Sequence, residues 1–279
     1  MLVFLHVTPG IDLVGRPWPG DSWWGILTLL GVYLAGVGPL RSVLAPGARF
    51  PRRSAMLFVT GLALLYFSLE NYYLDTVGEK YLFCLHMLQH CIIIFFCAPL
   101  LLAGTPGWLI RPVTRLLGVT PLLRFITRPL MAFILFNLVF NVWHLSGLFE
   151  WALRDRTVHF AEHATFLLAA LLMWWPILSP LPEFPPLGAG GQILYYFAMS
   201  VSQVPLFFFL AFAGHVYYDT YSLAPRFCGL TPIEDQQVGG ILMKIVGELA
   251  FLSGIAVAFV RWYRGERTVL HTTPQPSTN

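Results

Sequence analysis

Seven runs of apolar residues, roughly 23–40, 56–74, 81–103, 129–146, 157–178, 191–214 and 238–262, follow one another along this chain. A helix needs about 20 apolar residues to cross the hydrocarbon core of a bilayer. Pro and Gly punctuate the gaps, as in Gly104-Thr105-Pro106-Gly107 and Ser179-Pro180-Leu181-Pro182. Only 11% of the residues are charged and 57% are hydrophobic, whereas soluble domains carry roughly a quarter charged residues. The expected fold is all-α, an integral membrane bundle of seven transmembrane helices. It divides into a segment 1–22 ahead of the bundle, a membrane domain 23–263 and a short polar tail 264–279.

Direction follows from the basic residues in the loops, because cytoplasmic loops collect Lys and Arg. One side carries eleven arginines: Arg41, Arg49, Arg52, Arg53, Arg111, Arg115, Arg124, Arg128, Arg261, Arg264 and Arg267. The other carries Arg16, Lys80, Arg154, Arg156 and Arg226. The N-terminus is therefore expected outside and the C-terminus in the cytoplasm. The gap 104–128 alternates Trp108, Leu109, Val113, Leu116 and Leu117 with arginines, and reads as an amphipathic helix on the inner surface or a re-entrant turn. With a net charge of +3 and no basic stripe, nothing points to nucleic acid.

Once direction is assigned, seven of the eight histidines lie at or near the outer face, and only His271 falls in the tail. Ionisable groups inside a bilayer are costly and usually mark a site or a pathway. His86 and His90 lie on the third span, four residues apart and so on one helical face. His159 and His163 repeat that spacing on the fifth span. Asn137, Asn141 and His144 share a face of the fourth. His6 and His215 read as solvated or interfacial. Lys244 and Glu248, one turn apart on the seventh span, are expected to pair with each other. Gln203 followed by Pro205 breaks the sixth span near mid-membrane.

Several chemistries fit these residues. His159-Phe160-Ala161-Glu162-His163 matches the short H-x-x-E-H pattern of inverted zinc proteases, but it sits at the lip of a span with no third-ligand region. A b-type haem needs one histidine from each of two helices and small residues around the macrocycle. Pairs four apart on one helix suit a small ion better, copper or zinc. Met87, Met199 and Met243 could add thioethers for a soft ion, although such residues usually fill core space. Cys84, Cys91, Cys97 and Cys228 show no CxxC spacing and are not expected to form a disulfide framework. The resulting expectation is a copper or zinc site at the outer face built from His86, His90, His159 and His163, helped by His144. Metal binds neutral imidazole, so affinity is expected to fall below about pH 6.5.

In their order along the spans, His86-Met87-Leu88-Gln89-His90 followed by Ala98-Pro99, then Asn141-Val142-Trp143-His144, His159-Phe160-Ala161-Glu162-His163 leading to Trp174-Trp175-Pro176, and Asp235-Gln236-Gln237-Val238-Gly239-Gly240 carry a resemblance. Over about residues 55–263 the chain resembles the CtaG family of haem-copper cytochrome oxidase assembly proteins, the polytopic bacterial type. That resemblance implies a non-enzymatic plasma-membrane protein that matures cytochrome c oxidase, delivering copper to the site beside the haem in the catalytic subunit. Partners it implies are oxidase subunits and the lipid bilayer; an extracytoplasmic copper chaperone and a second copy of the chain are further candidates. A CopD-like copper transporter, a b-type haem protein and a structural scaffold for oxidase subunits stand as alternatives.

Overall fold

The structure, a computed structural model, describes residues 22–116, 118–226 and 228–272, with side chains described as far as residue 265. Every regular element among them is helical: α1 (Ser22–Val37), α2 (Arg52–Glu70), α3 (Phe83–Gly104), α4 (Gly107–Thr114), α5 (Val119–Ile126), α6 (Pro129–Trp143), α7 (Ser146–Arg154), α8 (Arg156–Leu178), α9 (Ala189–Ala211), α10 (Asp219–Leu223) and α11 (Pro232–Thr272). Short turns between them, including a π-helical turn Tyr73–Val77, carry no label here. His6 and the expected segment 1–22, save Ser22, lie outside the described residues, as does the side chain of His271.

Five of these helices, α2, α3, α8, α9 and α11, are long and apolar enough to cross a membrane, and a sixth span arises if α5 and α6 count together. The departures from seven equal spans have physical causes. At about 1.5 Å per residue, α1 with 16 residues falls short of the roughly 30 Å hydrocarbon core. Similarly α6 has 15 residues and meets α5 at a bend of 78°. The stretch expected to lie on the inner surface forms α4 and α5, neither of which buries a residue, joined at Gly118 in the left-handed region (φ +81°).

The histidine-bearing helices occupy the centre. In α3, 67% of the span is buried and in α8, 56%, against 22–33% for α2, α9 and α11. α3 packs against α2, α8 and α11, while α6 packs on the far side of α8 and α9 lies along α11. Within α3, Pro99 has no amide hydrogen to close a helical turn, and a π-helical turn at Ile93–Cys97 precedes it. The carbonyl of Ile94 in that turn accepts from the indole of Trp174 on α8 at 2.9 Å, which ties the two central helices together. The break expected near Gln203 is present: α9 is interrupted between Ser202 and Val204.

Two contacts set where α3 begins. Asp235, fully buried in the first turn of α11, accepts from the backbone amides of Phe83 at 2.7 Å and Cys84 at 3.0 Å. A carboxylate on the otherwise unpaired amides of a helix start satisfies donors that lipid cannot. Gly78 lets the preceding turn lie against α3, since a Cβ there would stand 2.9 Å from the amide nitrogen of His86. Removing the cap by Asp235→Ala is expected to cost about 2 kcal/mol. It should appear as a lower thermal midpoint of the purified protein, and an unchanged midpoint would contradict this role.

Candidate metal centre

α3 and α8 bring four imidazoles into one knot. Asp155 caps α8, accepting from the amides of Thr157 (2.8 Å) and Val158 (3.2 Å), which sets the register of the histidines one and two turns on. Ring centroids lie 4.4 Å apart for His86–His90 and 4.3 Å for His159–His163, the two pairs anticipated on single helices. Across the helices the separations are 5.5 Å for His86–His159, 6.0 Å for His86–His163 and 5.1 Å for His90–His163. His86 is fully buried and His90 nearly so.

Two carboxylates that sequence reasoning did not assign join them. Glu162, fully buried, lies 3.9 Å from both His90 Nε2 and His159 Nε2. Glu79 Oε1 sits 3.0 Å from His159 Nδ1. Glu162 had been visible only as the glutamate of H-x-x-E-H. Glu79 comes from a short turn eighty residues before its partner, with no local pattern to mark it.

Both ring nitrogens of His86, both of His90 and both oxygens of Glu162 are buried without a hydrogen bond among the described residues. Leaving one such group unmatched in an apolar interior costs on the order of 1–3 kcal/mol. Together these three side chains offer one imidazole lone pair each from His86 and His90 and a carboxylate oxygen from Glu162. Two overlapping sets have ligand atoms all within 4.8 Å of one another: His86 with His159 and His163, and His86 with His90 and Glu162. Donors around one ion at about 2.0–2.1 Å stand roughly 3.4 Å apart, so small side-chain rotations close either set. Glu79 Oε1 lies 3.0 Å from His159 Nδ1 without hydrogen-bond alignment, so a small rotation would set up the carboxylate–imidazole–metal arrangement, with the unmatched Nε2 of His159 left for the ion.

His144 belongs to neither set. Its Nδ1 donates to the Phe140 carbonyl at 2.6 Å, and its ring packs 6.1 Å from Phe166 and 6.5 Å from Phe149. Those two rings in turn face His90 (4.7 Å) and His86 (5.4 Å), so His144 stands one aromatic layer away. Asn141 on its helix is exposed. His215 is exposed and meets Tyr217 edge to face. Lys244 and Glu248 do pair, and Ser200 completes them by donating to Glu248 at 2.6 Å and accepting from Lys244 at 3.0 Å. Met87 and Cys91 face the apolar core, and all four cysteines are free thiols.

Fold and site define a multi-pass helical membrane protein with a buried imidazole–carboxylate centre between two central helices. The family of cytochrome c oxidase caa3 assembly factors matches residues 31–265, and the chain belongs to it. It is a multi-pass protein of the bacterial membrane. No curated protein and no solved structure matches.

If the centre is built for a ligand, its own residues oppose the fold when empty. Glu162→Leu, which replaces an unmatched carboxylate by an apolar group of similar size, should raise the thermal midpoint of the metal-free protein, by about 1 kcal/mol or more in stability. A midpoint lowered to the same extent would show that Glu162 is a structural partner.

Proposed function

We propose that this protein assembles cytochrome c oxidase by holding a copper ion in the divalent state between α3 and α8 and passing it to the catalytic subunit. The observation that carries this reading is the unmatched, buried trio His86, His90 and Glu162, whose ligand atoms lie within 4.8 Å of one another, with His86 in the same reach of His159 and His163. Imidazole with carboxylate suits Cu(II) or Zn(II) better than Cu(I), which favours thiolate and thioether. Charge supports the same choice, since Glu79 and Glu162 together cancel one dication in a medium where net charge is costly. Copper rather than zinc is favoured by the family, whose client is a copper enzyme. The role is that of an assembly factor, not a catalyst.

In this reading α1 serves as a short first span and α5–α6 as a bent fourth, making seven. The arginine-rich end faces the cytoplasm, which puts the N-terminus and the metal centre on the outer side. Two alternatives lose ground on geometry. A haem needs an open slab on either side of its iron, whereas His86 and His90 are buried tightly against Phe149 and Phe166. A through-membrane transporter would want a second ligand set along the bundle, and among the described residues both sets share His86 at one end.

The test is metal content of protein purified after loading with Cu(II). Wild type is expected to retain about one ion per chain, and His86→Ala/His90→Ala less than about a tenth of that, given the 10–100-fold losses typical even of outer-shell changes. The same double variant should leave the oxidase without its copper while its haem is still inserted. Equal copper in both proteins would overturn the reading.

A further inference from the structure

Directly over His86, the described residues close the bundle end to water. Phe83, Phe149, Tyr218 and Tyr221, each no more than 1% exposed, form a continuous aromatic layer over His86. Ring centroids in it lie 5.7 Å (Phe83–Phe149), 5.0 Å (Phe83–Tyr218) and 4.3 Å (Phe149–Tyr218) apart, and Phe149 rests 5.4 Å from His86. The layer is tied down: Tyr218 donates to the His144 carbonyl and Tyr221 to that of Gly78, each at 3.0 Å. A hydrated ion has no path there.

On its flank the centre is open among the described residues. A cavity of about 770 Å³ lies between α1, α2 and α8, and both His159 and His163 line it. His159 is only 6% exposed and its Nε2, turned to the centre, makes no hydrogen bond. Most of the wall is apolar, and it reaches the bundle surface at Phe160 and Leu168, 67% and 60% exposed. The polar end is made by Ser22, Glu70, Tyr72, Asp75, Thr76 and Arg156. Ser22 begins α1, Glu70 ends α2 and Arg156 begins α8, so this mouth lies where helices leave the membrane. Asp75, 7% exposed, is carried there by the π-helical turn, and Ser22 donates to Glu70.

Building on the metal reading above, we propose that the ion enters and leaves sideways, through this cavity, with Asp75 and Glu70 forming a carboxylate way-station at its mouth. Two carboxylates beside one guanidinium give the mouth a net negative charge. From there the path runs along His159 and His163 to Glu162 and His86. Two carboxylates release a divalent ion more readily than a full imidazole set does, and a negatively charged mouth raises the local concentration of cations.

Loading kinetics test this on the purified full-length protein, stripped of metal and mixed with Cu(II) or Zn(II) in separate runs. Glu70→Gln/Asp75→Asn should slow loading about tenfold, the low end of electrostatic steering effects, with the final ion count within twofold of wild type. Ala164→Trp, which fills the cavity beside His163, should slow it likewise; Leu168→Trp on the same wall replaces it if that variant does not fold. Phe149→Ala, which thins the aromatic layer, should leave the rate within twofold. Wild-type rates in both the carboxylate and the cavity-filling variants, or a large acceleration by Phe149→Ala, would overturn the lateral route while leaving the metal centre intact. Wild type that takes up no ion at all would overturn the centre and the route together.

Discussion

Within the hydrocarbon layer no water stands by to take up a hydrogen bond, so each buried donor and acceptor must find its partner in the protein or go without at a cost of several kcal/mol. Most of this chain obeys that constraint through small, specific solutions. Tyr33 donates to the Gly104 carbonyl, Gln89 to that of Ser68 and Trp174 to that of Ile94. Lys244, Glu248 and Ser200 satisfy one another. Single unmatched atoms remain at Gln89, Asn137 and Gln203, as in any large bundle, but six crowd together on His86, His90 and Glu162. That contrast separates a site from a core that merely tolerates polarity.

Holding such a cluster requires rigid neighbours, and the neighbours are found at both ends of the histidine-bearing part of α3. At its start Asp235 fixes the first amides and Gly78 admits a turn against His86. Below it the π-helical turn hands one carbonyl to Trp174, so α3 and α8 cannot slide past each other without breaking that bond. The run Asp235-Gln236-Gln237 works as a clamp throughout. Gln236 accepts from Tyr217 at 2.7 Å and Gln237 donates to the Ala213 carbonyl at 3.1 Å. Those contacts hold the loop that carries Tyr218 and Tyr221 over the centre.

Local periodicity made the two histidine pairs readable, because spacing of four on a helix survives any tertiary arrangement. The Lys244–Glu248 pair and the break at Gln203 were legible for the same reason. What escaped was whatever depended on which helices meet. His144 shares depth with the pairs, yet packing places Phe149 and Phe166 between them. Glu79 reaches His159 only because a turn folds back on α3. Glu162 was read as part of a protease motif, and burial rather than pattern reveals its part in the donor set. Apolar runs located the spans but overstated α1 and α6, since hydropathy does not register where a short helix or a sharp bend ends a crossing.

A centre that is costly when empty makes ion binding and stability one equilibrium. An ion that binds the folded chain alone stabilises it by RT ln(1 + [L]/Kd), about 2.7 kcal/mol at a hundred times Kd. On the proposed reading, an ion that matched His86, His90 and Glu162 would remove the reason for their side chains to shift, and so would hold α3 more firmly against α8. Those two helices form one wall of the lateral cavity, with His159 and His163 at its surface. Loading would then be felt at the flank, where His159 and His163 line the cavity, rather than at the capped end. On that reading a membrane-embedded client at that flank would meet a different surface before and after the ion arrives, which would link delivery to occupancy.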